Sequence, residues 1–517
     1  MTRFDSPFGA LPISDLTVTQ RLFQGLADRP DDTVLIDGPT GRAMTAAALT
    51  DTIKRLAGGL VESGRGTGHV VALMAPNMPE FCTVFHGVAW AGGTITTINP
   101  TYTAHEVRHQ LTASGAGTLI TTAAFLDMAE AAIEGTGVAG IHVIGDSQRG
   151  ASFTDLFGPP LEEQVPVDLD RHVLVLPYSS GTTGMPKGVM LSHRNLVMNV
   201  EQVLSAIEIQ PGEVTVAFLP FFHIYGMNVL MNAFLSARGA LVTMPRFDLE
   251  AFLRLTQEHK ARQLWVVPPV ALALAKHPMV GDFDLSSVEH VVSGAAPLGA
   301  DLSNLLAERL GCVSGQGYGM TELSPVSHVT PMTAPRAGAA GMTVAGTACR
   351  IVDIATGEDL GPGEEGELWV KGPQVMQGYL DNPQATASTL VEDGWLRTGD
   401  LGWIDADGYL FISDRVKELI KYKGFQIAPA ELEAALLAHA GIADAAVIGE
   451  PDPEAGEVPV AFLVPAGVAP PVDDIMAHMA ERLAHFKQLH RIEFVDAIPK
   501  SASGKILRRQ LRQPPST

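Results

Sequence analysis

Short apolar runs alternate with longer amphipathic stretches up to about Asp414. Val70-Val71-Ala72-Leu73-Met74 predicts a buried strand, Glu80 to Trp90 a helix, and Gly93 to Ile98 a second strand directly after it. This rhythm predicts an α/β fold of layered, largely parallel sheets. From Thr347 to Lys371 the pattern shifts to short strands among turn residues, Cys349 to Val352 and Gly366 to Val370, predicting a small β subdomain inside the larger unit. It shifts again at Ile412 to Lys417. Beyond that point Pro429 to Leu437 reads as a helix opened by proline with acidic residues in its first turns. Strand-like Ala445 to Ile448 and Val460 to Val464 follow, and the remaining chain is long enough for an α+β domain with its own core. The predicted organisation is a large N-terminal α/β domain over 1–414, a hinge at 415–417 and a smaller, mobile α+β domain over 418–517. No internal repeat is present.

A length of 517 residues exceeds what one hydrophobic core supports, and a 46% hydrophobic fraction supplies material for two or more. The formal charge of −22 argues against nucleic acid and acidic membrane surfaces as partners. A polyanionic ligand must therefore be met by local lysines and arginines. Cys82, Cys312 and Cys349 are odd in number and far apart, which suits neither a disulfide framework nor a zinc site and predicts packing roles in a reducing cytoplasm. Met1 to Asp15 lacks a long apolar stretch, so no secretory leader is expected, and Pro514 to Thr517 is not the Ser-Lys-Leu peroxisomal address. Val214 to Leu235 carries no charge, but Pro220, His223, Gly226, Asn228 and Asn232 interrupt it. It predicts a buried strand, loop and helix instead of a membrane span.

The candidate chemistry starts at Tyr178 to His193, which follows the apolar run Val173 to Leu176. Gly181, Gly184 and Gly188 permit turns that bring backbone N–H groups to an anion, Ser179, Ser180, Thr182 and Thr183 add hydroxyls, and Lys187 adds a full charge. A nucleoside triphosphate fits this set. The loop is not of the Walker A type, because Lys187 follows Pro186 and precedes Gly188 instead of closing a Gly-Lys-Ser/Thr run. Alone, such a stretch also reads as a flexible connection. Six further blocks accompany it: aromatic Pro220 to Gly226 around His223, the small-residue loops Ser293 to Leu298 and Gly315 to Glu322, Trp395 to Asp400, basic Lys421 to Gln426, and Ser501 to Leu507. Each has an ordinary reading by itself, as core histidine, turn, helix cap or solvated basic face. A carboxylate such as Glu322 beside a phosphate loop also suits Mg²⁺, which takes oxygen ligands and bridges phosphates.

Taken together and in this order, the blocks resemble the signatures of the AMP-forming acyl/aryl-CoA synthetases, the superfamily that includes firefly luciferase and the adenylation domains of peptide synthetases. The resemblance implies ATP and CoA as co-substrates, Mg²⁺, a carboxylic acid as the other partner, and two steps through an acyl-adenylate with no enzyme nucleophile. It implies that Ser179 to Gly184 and Lys187 hold phosphates, that Tyr318 faces adenine with Ala295, Gln316 and Gly317 around it, and that Thr321 meets the α-phosphate. Glu322 and Thr183 are then the metal residues, Asp400 the ribose ligand assisted by Arg415, and His223 the gating histidine. Tyr225, Val229, Ala295, Gly317, Pro325 and Val326 fall at acyl-pocket positions, and Arg246 near the CoA phosphates. Lys417 takes the hinge position and Lys505 the lysine of adenylation. Lys421, Lys423 and Gly424 form the face used for thioester formation.

Within the superfamily, His-Ile-Tyr-Gly, Gly-Gln-Gly-Tyr-Gly-Met-Thr-Glu and Lys-Tyr-Lys-Gly-Phe-Gln-Ile-Ala-Pro look most like 4-coumarate–CoA ligases and their bacterial relatives. Val229 replaces a small or hydroxylated residue often found in plant hydroxycinnamate enzymes and offers no hydrogen bond to a phenol. Cinnamate, another aryl acid or a medium-chain acid is thus as suitable as coumarate. The alternatives are a medium-chain acyl-CoA synthetase, a luciferase-like enzyme that oxidises the adenylate, and a noncatalytic nucleotide- or acyl-binding protein. The sequence carries no signal for an oligomeric state.

Overall fold

A computed structural model describes residues 2–179, 186–423, 425–501 and 504–512. Val70–Met74, Thr94–Thr97, Thr118–Thr122 and Ile141–Ile144 form a parallel sheet. Helices cover this sheet, which explains why its strands read as unbroken apolar runs. Pro79–Trp90 follows the first of them, with proline opening the helix and Glu80 in its first turn. Almost every residue of that helix is buried, so its sequence shows no polar face. Val173–Val175 extends the sheet in parallel, but Lys187–Ser192 and Tyr178–Ser179 join it antiparallel. The predicted phosphate loop therefore connects two strands of a hairpin, whereas a Walker loop leads from a strand into a helix. Ser180, Gly181, Thr182, Thr183 and Gly184 lie outside the described residues.

A second layer runs parallel through Val214–Ala217, Ala240–Thr243 and Thr33–Asp37, and through Gln263–Val266, His290–Ser293 and Val313–Gly319. The antiparallel strand Val326–Val329 then packs on Val313–Gly319. The expected β subdomain is present as an antiparallel sheet of Ala348–Val352, Gly366–Lys371, Trp395–Ile404 and Leu410–Arg415. Phe4–Asp5 adds an edge strand to it, a long-range pairing with no local signal. Parallel order thus runs through the two inner layers, whereas the β subdomain is antiparallel. Val214 to Leu235 is a strand, a loop and the buried helical segment Tyr225–Phe234, whose turns are of the wider π type. Among the described residues no helix is long and apolar enough to cross a membrane.

Residues beyond 419 build a separate apolar core from Ile420, Leu432, Leu436, Val447, Leu463 and Ile475. Its sheet pairs Ile442–Asp452 with Gly456–Pro465, both longer than their apolar centres, and the helices Pro429–Leu437 and Val472–Arg482 cover it.

The large core contains neutral histidines. Burial pushes His86, His193 and His328 down to about 3. His86 Nδ1 lies 3.0 Å from Thr19 Oγ1, and the His328 ring nitrogens lie 3.0 Å from Ser327 Oγ and 3.2 Å from Thr343 Oγ1. A group with a depressed folded pKa contributes stability above its unfolded value near 6.5 and loses that contribution as pH falls. Each histidine should therefore cost up to about 2 kcal/mol by pH 5. The urea midpoint is expected to fall steeply from pH 7 to 5, and His86→Gln should flatten that dependence. An unchanged midpoint over this range would refute the account.

Candidate active site

Antiparallel pairing sets Asp400 directly opposite Arg415. The Arg415 Nε atom lies 3.0 Å from Asp400 Oδ1, and the Tyr318 hydroxyl donates to Asp400 Oδ2 at 2.6 Å. Tyr318 arrives from the end of Val313–Gly319, so two sheets distant in sequence converge on one carboxylate. Asp400 is only 5% exposed. Burial and the Asp400 charge hold the Tyr318 phenol well above its usual range, which keeps it a donor. A carboxylate has about four acceptor positions, so Asp400 can still receive hydroxyls from a ligand.

On the other side, Lys187 begins the strand that continues from the phosphate loop. Its Nζ lies 4.8 Å from the centre of the Tyr379 ring, and the Tyr379 hydroxyl donates to Glu322 Oε1 at 2.8 Å. Tyr379 thus joins the loop lysine to the candidate metal carboxylate. Sequence reasoning missed it, because its one signal is a Gly-Tyr step in an unpatterned stretch. Pairing of Gly378–Tyr379 with Lys187–Ser192 brings it here. Thr321 is buried next to Glu322. Pro325 and Val326 are held by two buried asparagines: Asn228 Nδ2 donates to Ser324 O at 2.6 Å, and Asn199 exchanges bonds with Val326 at 2.8 and 3.1 Å. From sequence, Asn228 read only as an interruption of an apolar run.

The aromatic loop is fixed by Asn77, whose Nδ2 donates to Ala217 O and Leu219 O while its Oδ1 accepts from Phe221 N at 2.7 Å. His223 Nδ1 accepts from Tyr225 N at 3.3 Å. Burial, then the Lys505 charge, push His223 down to about 4, so the ring is neutral at neutral pH. A Cβ on Gly294 would stand 2.9 Å from the Tyr225 ring, which is why that loop needs glycine there. Ala295 follows at φ +70°, a left-handed conformation costly for a residue with a Cβ, and it is exposed. Two expectations change. The Gln316 side chain is engaged with Leu298 N and O and with Ala339 O, so it braces the 294–298 loop and does not offer its amide to a ligand. Val229 has 0% exposure and contributes no accessible surface to a pocket, because the helix that carries it is buried all round.

Lys505 enters this region from the small domain. A Cβ on Gly504 would lie 3.2 Å from the Val267 side chain of the large domain. Burial and the Arg415 charge push the Lys505 ammonium down to about 8, against the opposing pull of Asp400, Glu322 and Glu418. Lys421 and Lys423 stay exposed on the small domain, their backbone N–H groups bonded to Glu457 and Ala455. Gly424 lies outside the described residues. Lys417 and Arg246 are exposed as well. The structure therefore brings Lys505, Asp400, Arg415, Glu322 and Tyr318 together and leaves the Lys421 segment outside. Burial raises the Cys82 and Cys349 thiols well above their usual range and Cys312 to about 11, which makes all three poor nucleophiles. Among the described residues no group of three or more His, Cys, Asp or Glu could hold a metal. One buried carboxylate, Glu322, linked through Tyr379 to Lys187, would instead suit Mg²⁺, which takes water and phosphate oxygens as further ligands.

Residues 22–380 match the AMP-binding enzyme family and residues 431–505 the AMP-binding enzyme C-terminal domain, so the chain belongs to this family of adenylate-forming enzymes. 4-Coumarate–CoA ligase 5 of Oryza sativa subsp. japonica is 42% identical over 519 residues, covering 97% of this chain and 94% of that one. A 4-coumarate–CoA ligase of Pinus taeda is 41% identical over 516 residues, covering 97% and 96%. Among solved structures, ATP-bound MatB of Rhodopseudomonas palustris superimposes with a TM-score of 0.88 at 30% identity, covering 96% of this chain and 98% of that one. Its apo form gives 0.79 at the same identity and coverage.

Proposed function

We propose that this chain is an ATP-dependent carboxylic acid–CoA ligase that acts on an aryl acid of the coumarate or cinnamate type. The observation that carries the reading is the insertion of Lys505 among Asp400, Glu322 and Arg415, in a chain about two-fifths identical to plant 4-coumarate–CoA ligases over nearly its whole length.

In the first step the acid's carboxylate oxygen attacks the α-phosphorus of ATP, the bond to the bridging oxygen breaks, and pyrophosphate leaves with that electron pair. Two anions must be held together, which is the work of positioned cations. Lys505 bridges the carboxylate and α-phosphate, Lys187 and the hydroxyls of Ser179 to Thr183 hold the outer phosphates, and Thr321 donates to the α-phosphate. Asp400 accepts the ribose hydroxyls, with Arg415 and Tyr318 fixing its orientation. Gly317 and Tyr318 pack on adenine. Glu322 and Thr183 would hold Mg²⁺, which would supply neutralising charge to the phosphates. Neutral His223 and Tyr225, with Ala295, Pro325 and Val326, border the acyl group.

In the second step the CoA thiol adds to the adenylate carbonyl, AMP leaves as the phosphate takes the electron pair, and the thiol proton passes to solvent. The domain boundary lies at 414, with the hinge at 415–417. Rotation there withdraws Lys505 and presents Lys421, Lys423 and Gly424, while Arg246 meets the CoA phosphates. Closer likeness to the ATP-bound than to the apo form of one relative supports an adenylation arrangement in this structure.

The test is a panel of cinnamic, benzoic and medium-chain acids with ATP, Mg²⁺ and CoA. Acid-dependent pyrophosphate release followed by CoA-dependent AMP release is expected, strongest with a cinnamic acid. Cleavage of ATP only between its outer phosphates would overturn the reading, and a medium-chain preference would overturn the substrate class.

A further inference from the structure

Where the small domain is attached, the chain makes a contact that no substrate requires. Asp414 stands in the strand Leu410–Arg415, opposite Leu401 of the large domain. Its carboxylate is buried, with Oδ1 accepting from Arg415 N at 2.7 Å and Oδ2 from Ala430 N at 2.8 Å. Ala430 lies in the first turn of the helix Pro429–Leu437, which Leu432 and Leu436 anchor in the small domain's core. Ala428 precedes that helix and provides no side-chain cap. Asp414 supplies the side-chain acceptor that the helix start lacks, and its charge adds to that of Glu431 in the first turn. Donor and acceptor therefore belong to opposite sides of segment 415–417.

The same helix carries the Lys505 segment. Buried Glu433 pairs with Arg508 Nη2 through both oxygens at 2.7 and 2.9 Å and accepts from Val447 N at 2.8 Å. Arg508 also donates from Nε to Val447 O at 3.1 Å, three residues past Lys505. These contacts are internal to the small domain and travel with it. A rotation at 415–417 that withdraws Lys505 leaves them intact and separates Asp414 from Ala430.

We propose that Asp414 is a latch, a positioning residue whose bond to Ala430 holds the small domain where Lys505 enters the site and must open before thioester formation. The inference rests on the two-step reading above. Loss of a hydrogen bond to a charged acceptor should reduce the closed-to-open ratio by about tenfold or more.

Lys276 Nζ lies 3.5 Å from Leu437 O across the two domains, so a Lys276→Cys/Ala438→Cys pair in a Cys312→Ser background reports the closed arrangement by pulsed bismaleimide cross-linking. Adding Asp414→Ala should lower cross-linking about tenfold and slow acyl-AMP formation similarly, with thioester formation from supplied acyl-AMP unchanged or faster. Asp414→Asn, which keeps the shape and one acceptor, should fall between the two and guards against a folding defect in the alanine variant. Parental cross-linking in both variants, or equal loss in both half-reactions, would overturn the latch. Absence of acid-dependent pyrophosphate release by the parent would overturn the ligase reading, while the cross-linking arm would still decide the latch.

Discussion

Lys505→Ala is expected to slow acyl-AMP formation by roughly a hundred- to thousandfold while conversion of supplied acyl-AMP to thioester stays within a few-fold of the parent. The asymmetry follows from timing. In the two-step reading proposed above, Lys505 is a fixed charge delivered by a moving domain, and its contribution exists only while that domain is closed. In that position it replaces water between two anions, at a site where burial strengthens every charge interaction. The same burial gives a pH signature. With the free-enzyme ammonium near 8, the charged form is lost as pH rises through that value. The kcat/KM of adenylation should therefore fall on the alkaline side near pH 8. In kcat the limb should move upward, because bound ATP adds negative charge that favours the ammonium. Stopped-flow pyrophosphate release and a separate acyl-AMP-to-thioester assay read the two steps. Equal losses in both, or an alkaline limb that survives in Lys505→Ala, would refute the role.

Asp400→Ala should lower kcat/KM for ATP by about a hundredfold, with Asp400→Asn losing less. The carboxylate receives the Tyr318 hydroxyl and the Arg415 guanidinium. Its removal leaves both partners without their acceptor in a region shielded from water, at a desolvation cost of about 1–3 kcal/mol each. A ribose that loses its acceptor adds to the deficit. Comparison with 2′-deoxy-ATP separates the contributions: the parent should discriminate against the deoxy nucleotide, and Asp400→Ala should not. Undiminished discrimination in the variant would remove Asp400 from ribose binding and leave it a structural brace.

The legible part of the site was the part written in contiguous residues. Lys187, Tyr318, Thr321, Glu322, Asp400 and Lys505 each sit in a short run whose composition already suggests anion or ring binding. Tyr379, Asn77, Asn199 and Asn228 were missed because each acts through a partner far away in the chain: Tyr379 on Glu322, Asn77 on Phe221, Asn199 on Val326 and Asn228 on Ser324. No periodicity marks such residues. Gln316 and Val229 illustrate the converse, since position in a motif does not reveal whether a side chain faces a ligand or the protein behind it.

By itself the sequence determined the layered α/β class, the inner parallel strands, the separate C-terminal unit and the family chemistry. These depend on local apolar patterning and on residue types that sterics and charge restrict. Only the tertiary structure decided that the phosphate loop belongs to a hairpin, that Phe4–Asp5 closes the β subdomain's edge, and that Asp400 meets Tyr318 and Arg415 on one carboxylate. It also decided that Lys505, and not the Lys421 segment, lies among Asp400, Glu322 and Arg415. Strand register and the docking of one domain on another are set by contacts between distant residues, and local sequence carries no record of which distant partner each residue will meet.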